Sequence, residues 1–259
     1  MFRASEFEDW FGRDHAPLMR RVGDELWYPK ANGAPEVLAY LLGRGELNIA
    51  EVRPAPPDWE MGPGAAAVRI AQQYTPGELP ITDLDAAVAA ELVFSLWIRR
   101  RDTHAFNSVF VAGIPVFFDH HIAFAIEEPE NRDLAGFFKD RGPGGSACRW
   151  RVVPVPASMP MVTRAMRRVT HETGYAIHGV RSPRRFREAV DEWVARISSW
   201  DLSDVESVIH SAGYRGADID WIAALLRDSQ SELHRAAKRL HELASETVAT
   251  VSELALISM

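Results

Sequence analysis

The sequence RDTHAFNSVFVAGIPVFFDHHIAF, residues 101–124, places an Asp, a His and an Asn close together and follows them with a second Asp. Two short strands, 107–113 and 114–120, are predicted on either side of a turn at Gly113. Asp119 comes directly after an apolar run, at the end of a strand that should be buried. A carboxylate is costly in such a place unless a cation accompanies it.

The residue types in this stretch are suited to magnesium and a nucleotide triphosphate. Mg²⁺ prefers a few hard oxygen ligands together with phosphate oxygens, and Asn107 and Asp119 supply an amide and a carboxylate. Asp102 could orient or deprotonate an attacking hydroxyl, since phosphoryl transfer depends mostly on positioning, metal and positive charge. In the alternative interpretation, Asp102 caps a turn, Asn107 begins a strand and Asp119 pairs with an arginine.

The D-x-H-x-x-N loop, followed by a strand and an Asp, resembles the catalytic core of the phosphatidylinositol 3- and 4-kinase-like superfamily, and in particular its bacterial HipA-like kinases. The resemblance implies that Asp102 is catalytic and that His104 supports it. It also implies that Asn107 and Asp119 bind metal. Members of the superfamily often continue the second motif with glycine, as Asp-His-Gly or Asp-Phe-Gly, whereas this chain has His121 at that position.

The segment KANGAPEVLAYLLGRGELNIAEV, residues 30–52, resembles the succession of lysine strand, helix and strand in the HipA-like N-lobe. By this resemblance, Lys30 contacts the nucleotide phosphates and Glu36 pairs with Lys30, with Glu25 and Glu51 as substitutes for Glu36. An early Glu is also favoured in any helix by the helix dipole. The remaining nucleotide contacts that the resemblance implies lie at a hinge near adenine, at Gln72, Gln73 and Tyr74.

The predicted fold class is α+β, with a two-lobed protein-kinase-like arrangement. A β-rich, nucleotide-binding N-lobe is expected over residues 1–76 and a helical C-lobe over 77–259. Hydrophobic periodicity and turn residues predict a hairpin, two strands and a series of helices. The hairpin is expected at 18–30, further strands at 47–54 and 65–74, and helices at 34–43, 81–100, 160–173, 183–199, 202–211, 217–227 and 229–256.

Several helix starts carry residues that could cap them. Thr82 or Asp83 could cap the helix at 81–100, because short polar side chains accept hydrogen bonds from the first free backbone amides. The later helices offer further N-cap candidates at Asp201 or Ser203, Asp218 and Ser229.

Composition narrows the possible functions. A formal net charge of −7 and a sequence pI near 5.7 argue against a general nucleic-acid binder, which needs a basic field. The single cysteine, Cys148, excludes an internal disulfide and favours a reducing compartment. No window approaches ~18 uninterrupted apolar residues, so no membrane span is expected and the predicted location is the cytoplasm.

Two other groups of residues invite functional interpretations. His120 and His121 adjoin the motif, but neighbouring residues on a strand face opposite ways, which disfavours a zinc site and leaves one histidine packed and hydrogen-bonded. Arginine-rich runs could bind an acidic substrate or phosphate, although such runs are more often solvated faces with local ion pairs. These runs are Arg99-Arg100-Arg101, Arg164/Arg167/Arg168 and Arg181/Arg184/Arg185.

The sequence therefore predicts an ATP- and Mg²⁺-dependent kinase that phosphorylates a hydroxyl group. A Ser or Thr of a protein is the first candidate acceptor by analogy with HipA-like kinases, and a small molecule is the next. A catalytically silent pseudokinase that binds a nucleotide or a protein is the alternative, favoured by the lost glycine and by the lack of a G-x-G-x-x-G loop. A helical interaction module over 160–256 is a third possibility.

Overall fold

The structure is a computed structural model, and it describes residues 20–30, 33–56, 59, 65–69, 73–100, 108–120, 123–124, 151–152, 176–177 and 182–257. These residues form a mixed α+β structure. The strands are β1 (Arg20–Val22), β2 (Glu25–Lys30), β3 (Val52–Pro54), β4 (Ala66–Arg69), β5 (Ser108–Val111), β6 (Ile114–Phe117), β7 (Arg151–Val152) and β8 (Ala176–Ile177). The α-helices are α1 (Ala34–Gly43), α2 (Leu84–Trp97), α3 (Pro183–Ser198), α4 (Val205–Ser211) and α5 (Ala217–Ile257), and a 3₁₀ helix spans Pro76–Glu78.

The largest sheet is antiparallel and has the strand order β1-β2-β4-β3. The predicted hairpin at its start is confirmed: Val22 pairs with Glu25 across a turn in which Gly23 has φ +61°, a conformation that glycine adopts without strain. The predicted strands at 47–54 and 65–74 are shorter than expected. Within the first of them, Ile49 forms only an isolated bridge to Phe117.

Helix α1 has the predicted bounds, with a proline in its first turn. It begins directly after Gly33, which lies so close to Ala66 of β4 that a Cβ atom there would fall 2.2 Å from the Ala66 Cβ. This contact fixes the start of α1 against the sheet.

Helix α2 lies at the centre of the core, and all fourteen of its residues are buried. Asp83 caps it, as one of the two predicted candidates, by accepting a hydrogen bond from Ala86 N at 3.1 Å. The helix packs against α3, α5 and β6. Its apolar side chains join one hydrophobic cluster with those of the sheet and the later helices. A helix that is largely apolar on all sides is expected to be enclosed by other elements of the fold, and α2 is enclosed in this way.

The hairpin β5–β6 has the predicted turn at Gly113, with Val111 opposite Ile114, and its strands end earlier than the predicted bounds at 113 and 120. The buried side chain of Asn48 anchors it. Asn48 Nδ2 donates to the carbonyl oxygens of Ile81, at 2.8 Å, and Pro115, at 3.2 Å, and Asn48 Oδ1 accepts from Ile81 N at 3.0 Å. One amide therefore ties the lead into α2 and the start of β6 to the segment after α1.

The C-terminal helices depart from the prediction in one important respect. The helices expected at 217–227 and 229–256 form the single helix α5, and Ser229 lies buried within it instead of capping a new start. Ser229 Oγ accepts a hydrogen bond from Arg99 Nε at 2.9 Å, so tertiary contact satisfies the hydroxyl that was interpreted as a cap.

The other N-cap predictions in this region are also wrong. Helix α4 begins at Val205 after Asp204, three residues later than predicted, and Asp201 instead accepts from Ser203 N in the preceding turn. Asp218 lies in the first turn of α5 and not before it. Helix α3 matches its prediction to within a residue, and Ser182 caps it. The parallel pair β7–β8 was not predicted, and the helix predicted at 160–173 lies outside the described residues.

Candidate functional site

Three side chains from separate parts of the chain meet at the end of β2. Lys30 Nζ donates a hydrogen bond to Glu36 Oε1 at 2.7 Å and contacts Asp119 Oδ1 as well. The Lys30 and Asp119 side chains are 18 % and 25 % exposed, whereas Glu36 is 1 % exposed. A ligand could therefore reach Lys30 and Asp119, while the buried Glu36 holds Lys30 by its hydrogen bond from the protein interior.

Local structure explains how the three meet. Lys30 is the last residue of β2 and pairs with Ala66. Glu36 lies in the first turn of α1, which starts four residues after β2, and Gly33 lets the start of α1 lie close to the sheet. Asp119 follows β6 by two residues and has φ +68°, a left-handed conformation that is uncommon outside glycine. Asp119 thus takes this conformation just beyond the end of the hairpin.

The charge state of Lys30 follows from its two neighbours. Burial lowers the pKa of Lys30, but the charges of Glu36 and then of Asp119, with the hydrogen bonds to both, together raise the pKa above its usual value. Lys30 is therefore an ammonium group at neutral pH. A fixed positive charge beside a partly exposed carboxylate is a suitable place for phosphate oxygens and a cation.

Beneath Asp119 lies a buried polar cluster formed by Glu91, Ser95, Arg100 and His120, which we call the Glu91 cluster. Glu91 Oε1 lies 2.5 Å from Arg100 Nη1, 3.1 Å from His120 Nε2 and 3.2 Å from Ser95 Oγ. The side chains of Glu91, Arg100 and His120 are each 1 % exposed, so these contacts stand in place of water.

The Glu91 cluster contacts the backbone on both sides of Asp119. Arg100 Nη2 donates to the carbonyl oxygens of Phe118, at 2.9 Å, and of Asp119, at 3.0 Å. His120 N donates to Glu36 Oε2 at 2.8 Å, which joins the cluster to the carboxylate that holds Lys30. The peptide groups before and after Asp119 are thus held by named donors and acceptors.

Glu91 is ionised despite its burial. Burial would raise the pKa of Glu91, but the interaction with His120, and then that with Arg100, holds the pKa below its usual value. Glu91 Oε2, also buried, has no hydrogen-bond partner within the described part of the chain. The carboxylate therefore concentrates its contacts on one oxygen.

The residues predicted for this site divide into two groups. Lys30, Glu36 and Asp119 converge: Lys30 contacts the side chain of Asp119, and Arg100 donates to the backbone carbonyl oxygen of Asp119. Four further predicted residues, Gln72, Asp102, His104 and Asn107, lie outside the described residues.

Gln73 and Tyr74, predicted to lie near adenine, use their side chains to hold the backbone of the sheet region. Gln73 Oε1 accepts from Leu26 N at 2.7 Å, and Tyr74 Oη accepts from Glu51 N at 2.6 Å. Burial raises the pKa of Tyr74 to about 12. These bonds fix the segment after β4 and leave its role in ligand binding a prediction.

The substitutes for Glu36 have other partners. Glu25 lies 3.2 Å from Arg69, and Glu51 lies 2.7 Å from Arg53. Of the three acids, Glu36 is the one that contacts Lys30, and it does so from the first turn of α1, where the helix dipole also favours an acid.

The described arginines of the arginine-rich runs lie in two different environments. Arg99 and Arg100 are buried, each 1 % exposed, so the interpretation of these two residues as part of a solvated face is wrong. Arg184 and Arg185 do form local surface ion pairs, with Glu188 and with Asp83 and Glu192. The other arginines of these runs lie outside the described residues.

The donor set at Asp119 fits magnesium in part. Mg²⁺ is commonly held by one or two carboxylates while phosphates and water complete its shell, so a single described carboxylate is compatible with it. Within the described ranges, no group of three or more His, Cys, Asp or Glu side chains could hold a metal ion by itself. His120 is buried with its Nε2 3.1 Å from Glu91 Oε1, and His121 lies outside the described residues.

Sequence reasoning missed Glu91 and the role of Arg100. A signal was present, because Glu91 is the one charged residue in the run AAVAAELVFSLW, residues 86–97, in which Ser95 is the only other polar side chain. A charge in a helix that is apolar all round must find a buried partner, and here it finds Arg100 and His120.

Comparison with family models, with curated proteins and with solved structures finds no match for this chain. Among the described helices, none combines the length and apolar character that crossing a membrane requires. The geometry around Lys30 is therefore the main support for any functional assignment.

Proposed function

We propose that this chain is a phosphotransferase that uses ATP and Mg²⁺ to phosphorylate a hydroxyl group, with a two-lobed fold of the protein-kinase-like, HipA-like type. The observation that carries the proposal is the contact of Lys30 with both Glu36 and Asp119. A lysine at the end of a strand, a glutamate in the next helix and an aspartate after a later hairpin are the elements that the resemblance implies for nucleotide binding.

The order of elements supports the same proposal. Lys30 lies on an inner strand of the four-stranded sheet, and α1, with Glu36, directly follows that strand. The sheet precedes the buried helix α2, the predicted catalytic loop and the hairpin that ends in Asp119. This is the succession of lysine strand, helix, sheet and metal-binding hairpin expected of a HipA-like kinase.

The roles of the residues follow from their charges and exposure. Lys30 would bind phosphate oxygens through its ammonium group, and Glu36 would hold Lys30 in place. Asp119 would give a carboxylate oxygen to Mg²⁺, together with Asn107. The bound Mg²⁺–ATP supplies the phosphoryl group and neutralises the charge that develops during transfer.

The remaining predicted residues complete the proposal. Asp102 would orient the acceptor hydroxyl or take up its proton, with His104 in support. Gln72, Gln73 and Tyr74 would lie near adenine. The acceptor is proposed to be a Ser or Thr of a protein, or else a small molecule.

Ligand binding is tested first by thermal unfolding with ATP alone and with ATP plus Mg²⁺. Ligand at about 100 times its dissociation constant would stabilise the fold by ~2.7 kcal/mol. Asp119→Asn should remove the part of the stabilisation that depends on Mg²⁺, because the amide is a weaker ligand of the same shape. Asp24→Asn, in the exposed β1–β2 turn, is the matched control and should respond like the parent.

Phosphate transfer is tested next, with radiolabelled ATP and protein or small-molecule acceptors. Asp102→Ala should abolish transfer and leave the stabilisation by Mg²⁺–ATP in place. Unchanged transfer in both Asp102→Ala and Asp119→Asn would overturn the proposal. Stabilisation by nucleotide without any transfer would favour the catalytically silent alternative.

A further inference from the structure

The backbone around Asp119 requires support that its own strand does not give. Asp119 lies beyond the end of β6 and has φ +68°. A residue other than glycine in a left-handed conformation costs about 1–3 kcal/mol and persists only where its surroundings enforce it. The groups that contact its flanking peptides are therefore candidates for the enforcing elements.

Arg100 is one of these groups, and Glu91 orients it. A single guanidinium nitrogen of Arg100 donates to the carbonyl oxygens of both Phe118 and Asp119. Its other terminal nitrogen donates to Glu91 Oε1 at 2.5 Å. The planar guanidinium has its donors in fixed directions, so the bond to Glu91 determines where the second nitrogen points.

His120 is the second group, and it is held at two points. Its backbone N–H donates to Glu36 Oε2 at 2.8 Å, and its ring nitrogen Nε2 lies 3.1 Å from Glu91 Oε1. With an ionised carboxylate opposite, Nε2 carries the proton and donates it. Glu91 thus acts on the backbone before Asp119 through Arg100, which donates to Phe118 O, and on the residue after Asp119 through the ring of His120.

We infer that Glu91 is a positioning residue for Asp119: through Arg100 and His120 it holds the left-handed backbone conformation that keeps the Asp119 carboxylate beside Lys30. Glu91 itself contacts neither Lys30 nor the exposed part of the site. This inference deepens the proposed function where Asp119 is assigned to metal, but the positional claim concerns the protein alone and can be tested without nucleotide.

Because the chain has few lysines, chemical modification of Lys30 can be followed directly. The chain has only Lys30, Lys139 and Lys238. An amine-reactive acetylating reagent followed by peptide mass spectrometry measures the modification rate of Lys30, with the exposed Lys238 as the internal reference. An ammonium held by two carboxylates reacts slowly, and losing one of them increases the rate.

Glu91→Gln is the main variant, because it removes the charge, keeps an acceptor oxygen and places its amide where Oε2 has no described partner. We expect Lys30 in Glu91→Gln to be acetylated about fivefold faster relative to Lys238, the factor that corresponds to one hydrogen bond. Asp119→Asn, which weakens the contact directly, should give at least the same increase.

Ser95→Ala is the matched control. Ser95 Oγ donates to the same oxygen of Glu91, but Ser95 contacts Arg100 through its backbone carbonyl oxygen, which the variant keeps. It should leave the Lys30 rate within twofold of the parent. Circular dichroism and a thermal melt establish that each variant is folded, and Glu91→Gln is chosen over Glu91→Ala because its shape is conserved.

The outcomes separate the inference from the proposed function. Faster acetylation of Lys30 in Glu91→Gln but not in Ser95→Ala supports positioning, even if the parent fails to bind Mg²⁺–ATP. An unchanged rate in Glu91→Gln, with an increase in Asp119→Asn, overturns positioning and leaves the proposed function standing. If transfer is observed, Glu91→Gln should raise the Mg²⁺ concentration needed for half-maximal activity, whereas Ser95→Ala should not.

Discussion

Asp83 and Arg185 join the start of α2 to α3: Arg185 Nε donates to Asp83 Oδ2 at 3.0 Å, while Asp83 Oδ1 accepts from Ala86 N. One carboxylate thus caps the central helix and pairs with a helix that packs against it. Burial raises the pKa of Asp83, but the bond from Ala86 N and the pairing with Arg185 outweigh it, and the pKa falls below its usual value.

Asp83→Ala is expected to destabilise the fold by about 1–2 kcal/mol, most of it from the lost cap, because an exposed ion pair contributes little. Asp83→Asn keeps the acceptor for Ala86 N and should cost less than half as much. Urea denaturation of both variants measures this. Since the folded pKa is lowered, the advantage of Asp83 over Asn should be present at neutral pH and disappear as the pH falls below ~4. Equal costs for both variants would show that the ion pair, and not the cap, dominates.

Gly33→Ala is expected to cost about 1–3 kcal/mol, as overpacking in a filled interior generally does. The new Cβ atom would lie 2.5 Å from the backbone nitrogen of Ala66, which cannot turn away as a side chain can. Gly77→Ala is the matched control, since nothing lies within 4 Å of the position that a methyl group would take there, and it should change stability by less than ~0.5 kcal/mol. Similar melting temperatures for the two variants would contradict the close approach of α1 to the sheet.

Ser229→Ala is expected to cost about 1–3 kcal/mol, because it removes the buried acceptor of Arg99 Nε. Ser231→Ala, on the exposed side of the same helix, removes only a bond from Ser231 Oγ to Asp228 O and should be nearly neutral. The comparison separates tertiary contact from helix propensity, since both changes replace Ser by the better helix former. If Ser229→Ala were as neutral as Ser231→Ala, the bond to Arg99 would contribute no stability.

Tyr74 should titrate late. Burial raises its pKa to about 12, so an unfolded chain loses this proton near pH 10 while the folded chain keeps it. The contribution of Tyr74 to stability is therefore complete below pH 10 and is lost as the pH rises towards 12. Tyrosinate absorbance of the parent minus that of Tyr74→Phe isolates this group among the five tyrosines. A midpoint near 10 in the difference curve would show that Tyr74 is solvated.

The sequence predicts elements well where a local rule decides them. Pro35 and Gly43 bracket α1, Gly113 lies in the β5–β6 turn, and Asp83 caps α2, all from short-range preferences. The pairing of Lys30 with Glu36 was also predicted, although only from the resemblance to HipA-like kinases. These features depend on residues that lie near one another along the chain.

What escaped prediction depends on contacts between distant residues. Ser229 looks like a helix cap by its type, but its partner, Arg99, lies 130 positions away. The Glu91 cluster likewise joins a helix interior to a hairpin 29 residues later. The strand predicted at 47–54 began too early, since β3 starts at Val52. Apolar content alone does not show where backbone pairing begins or ends.

The complete enclosure of α2 has a consequence for how this chain tolerates change. A helix with solvent on one side can absorb polar or bulky substitutions there, but α2 has no such side. Random mutagenesis with selection for folded protein should therefore recover the fewest variants across residues 84–97. A profile of accepted substitutions along the chain would show this helix as a continuous minimum, without the three-to-four-residue rhythm that ordinary surface helices display.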